Sequence, residues 1–470
     1  MFNPLRRFLP SRRVMKIIGM ILLPIFLFLG WLVFWPWDDP PPQDADLRLP
    51  ERPKIAAMDN GYTYFIQAEK KFFHGKLPGK DGTEKYLDDI DLSSNHGAFD
   101  SVLAKAFLDV NIDSLALIEK ALACQAWEYP QEDLGWIYKR CYDMRRSMEL
   151  LQIKIRLELL AGNYEKAAAV LSQEINLCQV MLKGQSDSLI FRTALGFWDM
   201  NDCLSLAWDP QVPESVLIAL EKDLAQMDNP LLTTTYRDTM RKDYQAIIEA
   251  FKTPNLRPLL FLNFIYGDCR PDKPPWFVPA YCFKPNKTLR MIADGQRGFI
   301  AHAGLPYTEF KQRVLTGTPF RHEDDRWHMV FKPNSLGQLV YENTCTRHEA
   351  FGSCTGLTTW KQGCRTLACL SAIRLTIACK RYERKYGNLP ETLEKLVPEF
   401  IPVVPTDPFD GKPMRYSREQ RLIWSVGLDG QDNDGRMMHG TPFYWGSSDN
   451  ERYDFVCPLD RPPPKPPKPK

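Results

Sequence analysis

A chain of 470 residues, 44% apolar and 25% charged, has room for two or three domains with real cores and is not disordered as a whole. Lys and Arg total 60 against 58 for Asp and Glu, so a formal net charge of +2 creates no global field to gather phosphates. Nucleic acid is therefore not expected as a partner.

The first element follows a basic segment, residues 1–16, in which Arg6, Arg7, Arg12, Arg13 and Lys16 cluster. From Ile17 to Trp35 the sequence IIGMILLPIFLFLGWLVFW carries no charge and has the length a hydrocarbon core of ~30 Å requires. This predicts a transmembrane helix over 17–37, with Pro24 inside it and Trp31, Trp35 and Trp37 at the outer interface. The basic residues before it and Asp38 and Asp39 after it place the N-terminus in the cytoplasm and the rest outside. A cleaved signal fits less well, because the apolar run is long and Pro36 to Pro40 offers no small-residue cleavage site.

Residues 38–56, with Pro40, Pro41, Pro42, Pro50 and Pro53, read as a stiff, extended spacer. Over 57–252 apolar residues recur at spacings of three and four, which predicts a helical domain. Within it, one helix is expected to stop at Gly162 and another to start after Asn163, a helical hairpin with some likeness to a tetratricopeptide turn. Residues 253–358 combine a loop rich in proline and aromatics with a second helical region. There the tetrapeptide Phe-Lys-Pro-Asn occurs twice, at Phe283 to Asn286 and Phe331 to Asn334, and each Asn is expected to cap a helix.

In 359–457 a long helix is predicted from Thr359 to Tyr386, ended by Gly387 and Pro390, then a short helix around Glu391 to Val397. Two strands follow, Met414 to Ser417 and Leu422 to Val426; in the second, Leu422, Trp424 and Val426 should face a core while Ile423 and Ser425 face away. The end, 458–470, is rich in proline and lysine and reads as an extended, solvated tail. The 12 cysteines lack zinc-ribbon spacing and fit core packing with one or two disulfides of undetermined pairing.

Chemistry-bearing motifs are few. His322 and His328 stand six apart, so one helix face would not present both to a metal. No nucleophile elbow, phosphate loop or dinucleotide fingerprint occurs, which leaves no positive case for an enzyme. The alternative of an exported hydrolase needs residues converging from 270–349, with His302, His322, His328 or His348 among them. The stretch Trp424 to Gly435, WSVGLDGQDNDG, is more suggestive. Asp429, Asp432 and Asp434, with Asn433, offer hard oxygen ligands, and Gly427, Gly430 and Gly435 permit tight turns, so the loop suits a Ca²⁺ cradle or a plain turn. It is not an EF-hand, because Gly430 and Thr441 would fall at the first and last loop positions.

From Ala378 to Gly435 an ordered string runs through Tyr386-Gly387, Pro390, Leu396-Val397-Pro398, Asp407-Pro408-Phe409, Gly411, Pro413 and Tyr416 to Trp424-Ser425-Val426-Gly427. It resembles the C-terminal half of the major pseudopilin of bacterial type II secretion systems. The resemblance implies a small antiparallel sheet whose acidic loop binds calcium through Asp429, Asp432 and Asp434. Met15 to Met20 lacks the processing signal of a pseudopilin, so the chain is not expected to polymerise as one. As a whole it resembles the uncharacterised membrane-anchored bacterial proteins that carry this module.

The expectation is a mainly α chain with an N-terminal transmembrane helix, an exported helical domain of helical hairpins and a small C-terminal α+β module with a short antiparallel sheet. It is expected to be a single-pass protein of the bacterial inner membrane, its bulk periplasmic, with the lipid bilayer and a protein partner as its contacts. The expected role is binding or assembly, linked to secretion or pilus-like machinery, with a structural calcium loop.

Overall fold

The structure, a computed structural model, describes residues 12–34, 38–49, 55–87, 90, 99–124, 126–128, 134–183, 200–252, 283–316, 334–341, 356–436 and 454–461. It is mainly helical with small antiparallel sheets. The chain divides into two compact units, one made of Met1–Leu47, Tyr244–Gln296 and Pro319–Ser353, the other of Arg48–Asp243, Arg297–Thr318 and Cys354–Lys470.

The first unit begins with α1, Arg12–Phe34, which contains Pro24. Side chains on it are described for Lys16 and residues 19–30, and Met20, Phe26 and Leu27 are each more than 60% exposed. Among the described residues no helix is long and apolar enough to cross a membrane.

In the same unit residues 38–47 pack against helical chain instead of standing free. A 3₁₀ turn, Ala45–Leu47, buries Leu47, and the Tyr244 hydroxyl donates to Asp44 over 3.5 Å. The unit also holds the end of α9, Asn229–Lys252, the first part of α10, Pro285–His302, and α12, Ser335–Tyr341. The expected caps are only half realised. Asn334 stands just before α12, but its Oδ1 accepts the Lys284 N–H at 2.7 Å and the Thr288 hydroxyl at 3.2 Å, so it serves α10. Asn286 lies inside α10, whose leading N–H groups are taken by the distant Asp38. Pro285 explains the shift: fixed φ and no N–H make proline a natural first helical residue, which pushes Asn286 past the cap.

The second unit is built on helical hairpins. In α2, Gly61–Lys71, the Asn60 side chain accepts from Tyr62 N, and in α3, Ser101–Val110, Asp100 accepts from Leu103 N; each satisfies an otherwise orphaned donor. Gly61 is required where it stands, since a Cβ would meet the Trp127 ring at 2.2 Å. Helix α4, Ile112–Ala123, lies on α2, and a short hairpin pairs β1, Leu77–Pro78, with β2, Glu84–Lys85. Helices α5, Leu134–Leu160, and α6, Tyr164–Lys183, meet at the expected break, where Gly162 takes φ +73° and Asn163 N donates back to the Glu158 carbonyl. Then α7, Met200–Trp208, and α8, Glu214–Ala225, pack on α6.

At the centre of this unit is α13, Gly356–Tyr386, three residues longer at its start than the sequence predicts. Twenty of its residues are buried, because α7 and α8 cover it and the C-terminal sheet covers it as well. Near its start Trp360 lies among Tyr236, Phe310 of α11 (Tyr307–Thr316) and, through Phe310, Phe299. The sheet is antiparallel in the order β3-β4-β5, with β3 Arg415–Ser417, β4 Leu422–Ser425 and β5 Phe455–Pro458. In register, Ile423 pairs with Tyr416 and with Cys457.

Two expectations are corrected here. Ile423 and Ser425 face no solvent; both are fully buried, while Trp424 and Val426 are buried too. The strand is covered on both faces, because the chain after β4 folds back over Trp424, whose Nε1 donates to Asp432 at 2.9 Å. The third strand, β5, was not anticipated. Among the described cysteines Cys124, Cys178, Cys203, Cys364, Cys369, Cys379 and Cys457 are free, all but Cys124 buried, and burial pushes the Cys379 and Cys457 thiols up to about 12.

Candidate functional site

The acidic loop leaves β4 through a 3₁₀ turn, Gly427–Asp429, and Gly430 reverses it at φ +67°. A side chain is opposed at Gly430 twice over, since a Cβ there would come within 2.8 Å of Thr308 on α11. Each aspartate then has its own position. Asp429 accepts the Gln431 N–H at 3.1 Å, a local Asx-type turn. Asp432 accepts from Trp424 Nε1 at 2.9 Å and from Asp434 N at 3.1 Å through one oxygen, while its other oxygen lies 3.5 Å from Arg415 Nε. Asp434 sits exposed at φ +56°.

Two carboxylates outside the loop hold it in place, and neither was singled out as a ligand. Asp454, just before β5, is buried and accepts from Asn433 N at 3.1 Å and Gly435 N at 2.9 Å, both on Oδ2. Asp407, wholly buried, accepts from Phe409 N, Val426 N and the Ser425 hydroxyl at 2.8–2.9 Å. Arg415 on β3 donates to Asp407 at 2.9 Å and forks onto Asp410, and so ties Asp407, Asp410 and Asp432 into one network. Ser425 reads as an outward strand position in sequence; what turns it inward is that it donates to a carboxylate eighteen residues away.

Electrostatics follow burial. Desolvation pushes the Asp407 carboxyl up against the pull of the Phe409 and Val426 N–H groups, while Arg415 draws Asp410 down. Burial, reinforced by the charge of Asp432, raises Asp454 from 3.8 to about 6. A carboxyl raised in the folded state stabilises fully below its unfolded pKa of 3.8 and loses that contribution as pH rises through about 6. Asp454→Asn keeps an acceptor for both N–H groups, so in chelator it is expected to exceed the parent by about 2 kcal/mol near pH 7.5 and to lose the advantage near pH 4. Urea unfolding at the two pH values reads this directly, and parallel curves for the two proteins would refute it.

As donors, Asp429, Asp432 and Asp434 suit a hard cation such as Ca²⁺. Among the described residues, however, no group of three or more His, Cys, Asp or Glu is arranged to hold a metal ion. The carboxylates of Asp429 and Asp432 are instead occupied by loop N–H groups, Trp424 and Arg415. Of the histidines considered for hydrolysis, His302 is described: its Nδ1 lies 2.8 Å from the Gly298 carbonyl, a local contact of its own helix. His322, His328 and His348 lie outside the described residues.

The site is joined to the helical body. Tyr307 N and Thr308 N, at the start of α11, donate to the carbonyls of Pro408 and Phe409 at 2.9 and 3.1 Å. At the far end of the sheet Arg421, at φ +55°, forms a network with Glu383, Asp460 and Lys380, and its guanidinium draws the Asp460 carboxyl down to about 2. No family model, curated protein or solved structure matches the chain.

Proposed function

We propose that this chain is a membrane-anchored extracytoplasmic protein that binds a protein partner or takes part in an assembly, of the secretion or pilus-like kind. The observation that carries the anchor is the uncharged run from Ile17 to Trp35 behind a basic segment. The exposed apolar side chains along residues 19–30 are consistent with a lipid environment and are costly in water. In this reading residues 17–37 lie in the inner membrane, the N-terminus is cytoplasmic and the bulk is periplasmic.

The acidic loop serves this role as a structural cation site. Asp429, Asp432 and Asp434 would hold Ca²⁺, and binding would draw Asp432 away from the Arg415 guanidinium 3.5 Å distant. Bound calcium supplies charge neutralisation. The repulsion between Asp432 and Asp454, part of what raises the latter to about 6, is what a cation there relieves.

Membranes from cells expressing the full chain test the anchor. The protein should remain in the pellet after alkaline carbonate washing, and protease added to spheroplasts should digest everything beyond residue 38; release into the supernatant would refute the anchor. On the purified chain, millimolar Ca²⁺ should raise the melting temperature and chelator should lower it. Asp432→Asn should abolish the difference, and melting indifferent to calcium would remove the metal from the proposal. Crosslinking in the same membranes should recover a secretion or pilus component if the assembly role holds.

A further inference from the structure

We infer that Asp38 to Pro40 forms a strap that locks the start of α10, so that the anchor and the first unit move as one body and not as a domain on a loose tether. This rests on the membrane-anchor reading for its consequence at the bilayer, but not for the strap. Helix α10 begins with Pro285, and the flanking Lys284 carbonyl accepts Thr288 N at 2.9 Å, which leaves the N–H groups of Asn286 and Lys287 for another acceptor. The Asp38 carboxylate does so across 248 residues of sequence, accepting Asn286 N at 2.7 Å on Oδ2 and Lys287 N at 3.1 Å on Oδ1. A carboxylate astride two leading N–H groups gains both the hydrogen bonds and the favourable end of the helix dipole.

Two further contacts extend the strap. The Asn286 amide donates to the Asp39 carbonyl at 2.8 Å, and Arg290, one turn along α10, donates to the Pro40 carbonyl at 2.9 Å. The ion pair of Arg290 with Asp39 at 3.4 Å adds little, since both side chains are about 40% exposed. The capping bonds therefore carry the restraint. Pro40, Pro41 and Pro42 follow, and their fixed φ lowers the entropy lost when the strap settles.

Reach makes the consequence concrete. Four residue steps separate Phe34, the end of α1, from Asp38, and four steps of extended chain span at most about 14 Å. With α1 in lipid, the first turn of α10 is thus held beside the headgroups, and its distance from the bilayer is set by the strap.

Hydrogen–deuterium exchange on the full chain in nanodiscs tests this. Asp38→Ala should speed exchange at Asn286 and Lys287 about tenfold, Asp38→Ser should restore most of the protection, and exchange in α13 should not change. Unaltered exchange at Asn286 in Asp38→Ala would overturn the strap. A label at Asp294→Cys should give one narrow distance to the lipid surface in the parent and a broad one in Asp38→Ala; a broad distribution in the parent would overturn the rigid coupling. If the chain does not enter nanodiscs the anchor reading fails, whereas Asp38-dependent exchange of the same chain in detergent would still support the strap.

Discussion

Asp407→Ala should lower the unfolding free energy of the full chain by about 3–5 kcal/mol, the cost of breaking a buried ion pair and orphaning its donors. The size follows from the number of groups that meet at one side chain. Removing the carboxylate leaves Phe409 N, Val426 N and the Ser425 hydroxyl without their acceptor, and leaves Arg415 without its most buried partner. Asp407→Asn keeps the shape but not the charge and should fall between the parent and Ala. Urea unfolding monitored by Trp fluorescence measures it, and a loss under about 1 kcal/mol would mean that the network does not hold the loop. Asp429→Ala is the control, since it gives up one turn hydrogen bond and should cost well under half as much.

Deleting everything after residue 401 should abolish cooperative unfolding of the second unit, and the excised piece from 402 onward should not fold alone. Each half would expose what the other buries. The sheet side contributes Phe409, Met414, Ile423, Trp424, Val426, Phe455, Val456 and Leu459, all buried. At about 1.5–3 kcal/mol for each large side chain, their combined burial is at least comparable to the 5–15 kcal/mol net stability of an ordinary domain. Cross-links of other kinds agree: Arg374 pairs with Glu221 at 2.8 Å, Arg384 donates to the Val212 and Asp209 carbonyls, and Trp208 donates to Pro458. A sharp calorimetric transition from either half would disprove the interdependence. The C-terminal region is thus not an appendage, whatever module it resembles, and calcium tests belong on the intact chain.

What was legible in the sequence was local. The breaks at Gly162-Asn163 and Gly387 could be read because a positive-φ glycine and a helix end lie within a few residues of each other. The hairpin of β3 and β4 announced itself by short apolar runs around a polar turn. What escaped depended on distant partners. Phe455 to Pro458 is too short to show a period, and it becomes a strand because β4 offers an edge. Ser425 turns inward for Asp407, and the capping place that Asn286 misses, because the helix starts at Pro285, is filled by the distant Asp38. The three loop aspartates were visible as a motif, yet Asp454 was not, and Asp407 stood out only within the string around Pro408 and not as a group that fixes the loop, since burial and hydrogen bonding across the fold gave both their importance. Most of the apolar segment at the N-terminus was evident from composition alone.

The carbonyls of Pro408 and Phe409 that receive the first N–H groups of α11 have a consequence for biosynthesis. During translation α11 emerges about a hundred residues before the atoms that complete it, as the Thr308 hydroxyl to Phe409 separation of 101 shows, and Trp208 waits 250 residues for its acceptor. Non-local closure of this kind slows folding and leaves apolar surface open meanwhile. The second unit therefore matures only once the ribosome has passed β5, and a transcript cut short before that point yields a substrate for chaperones and proteases in place of a smaller working protein.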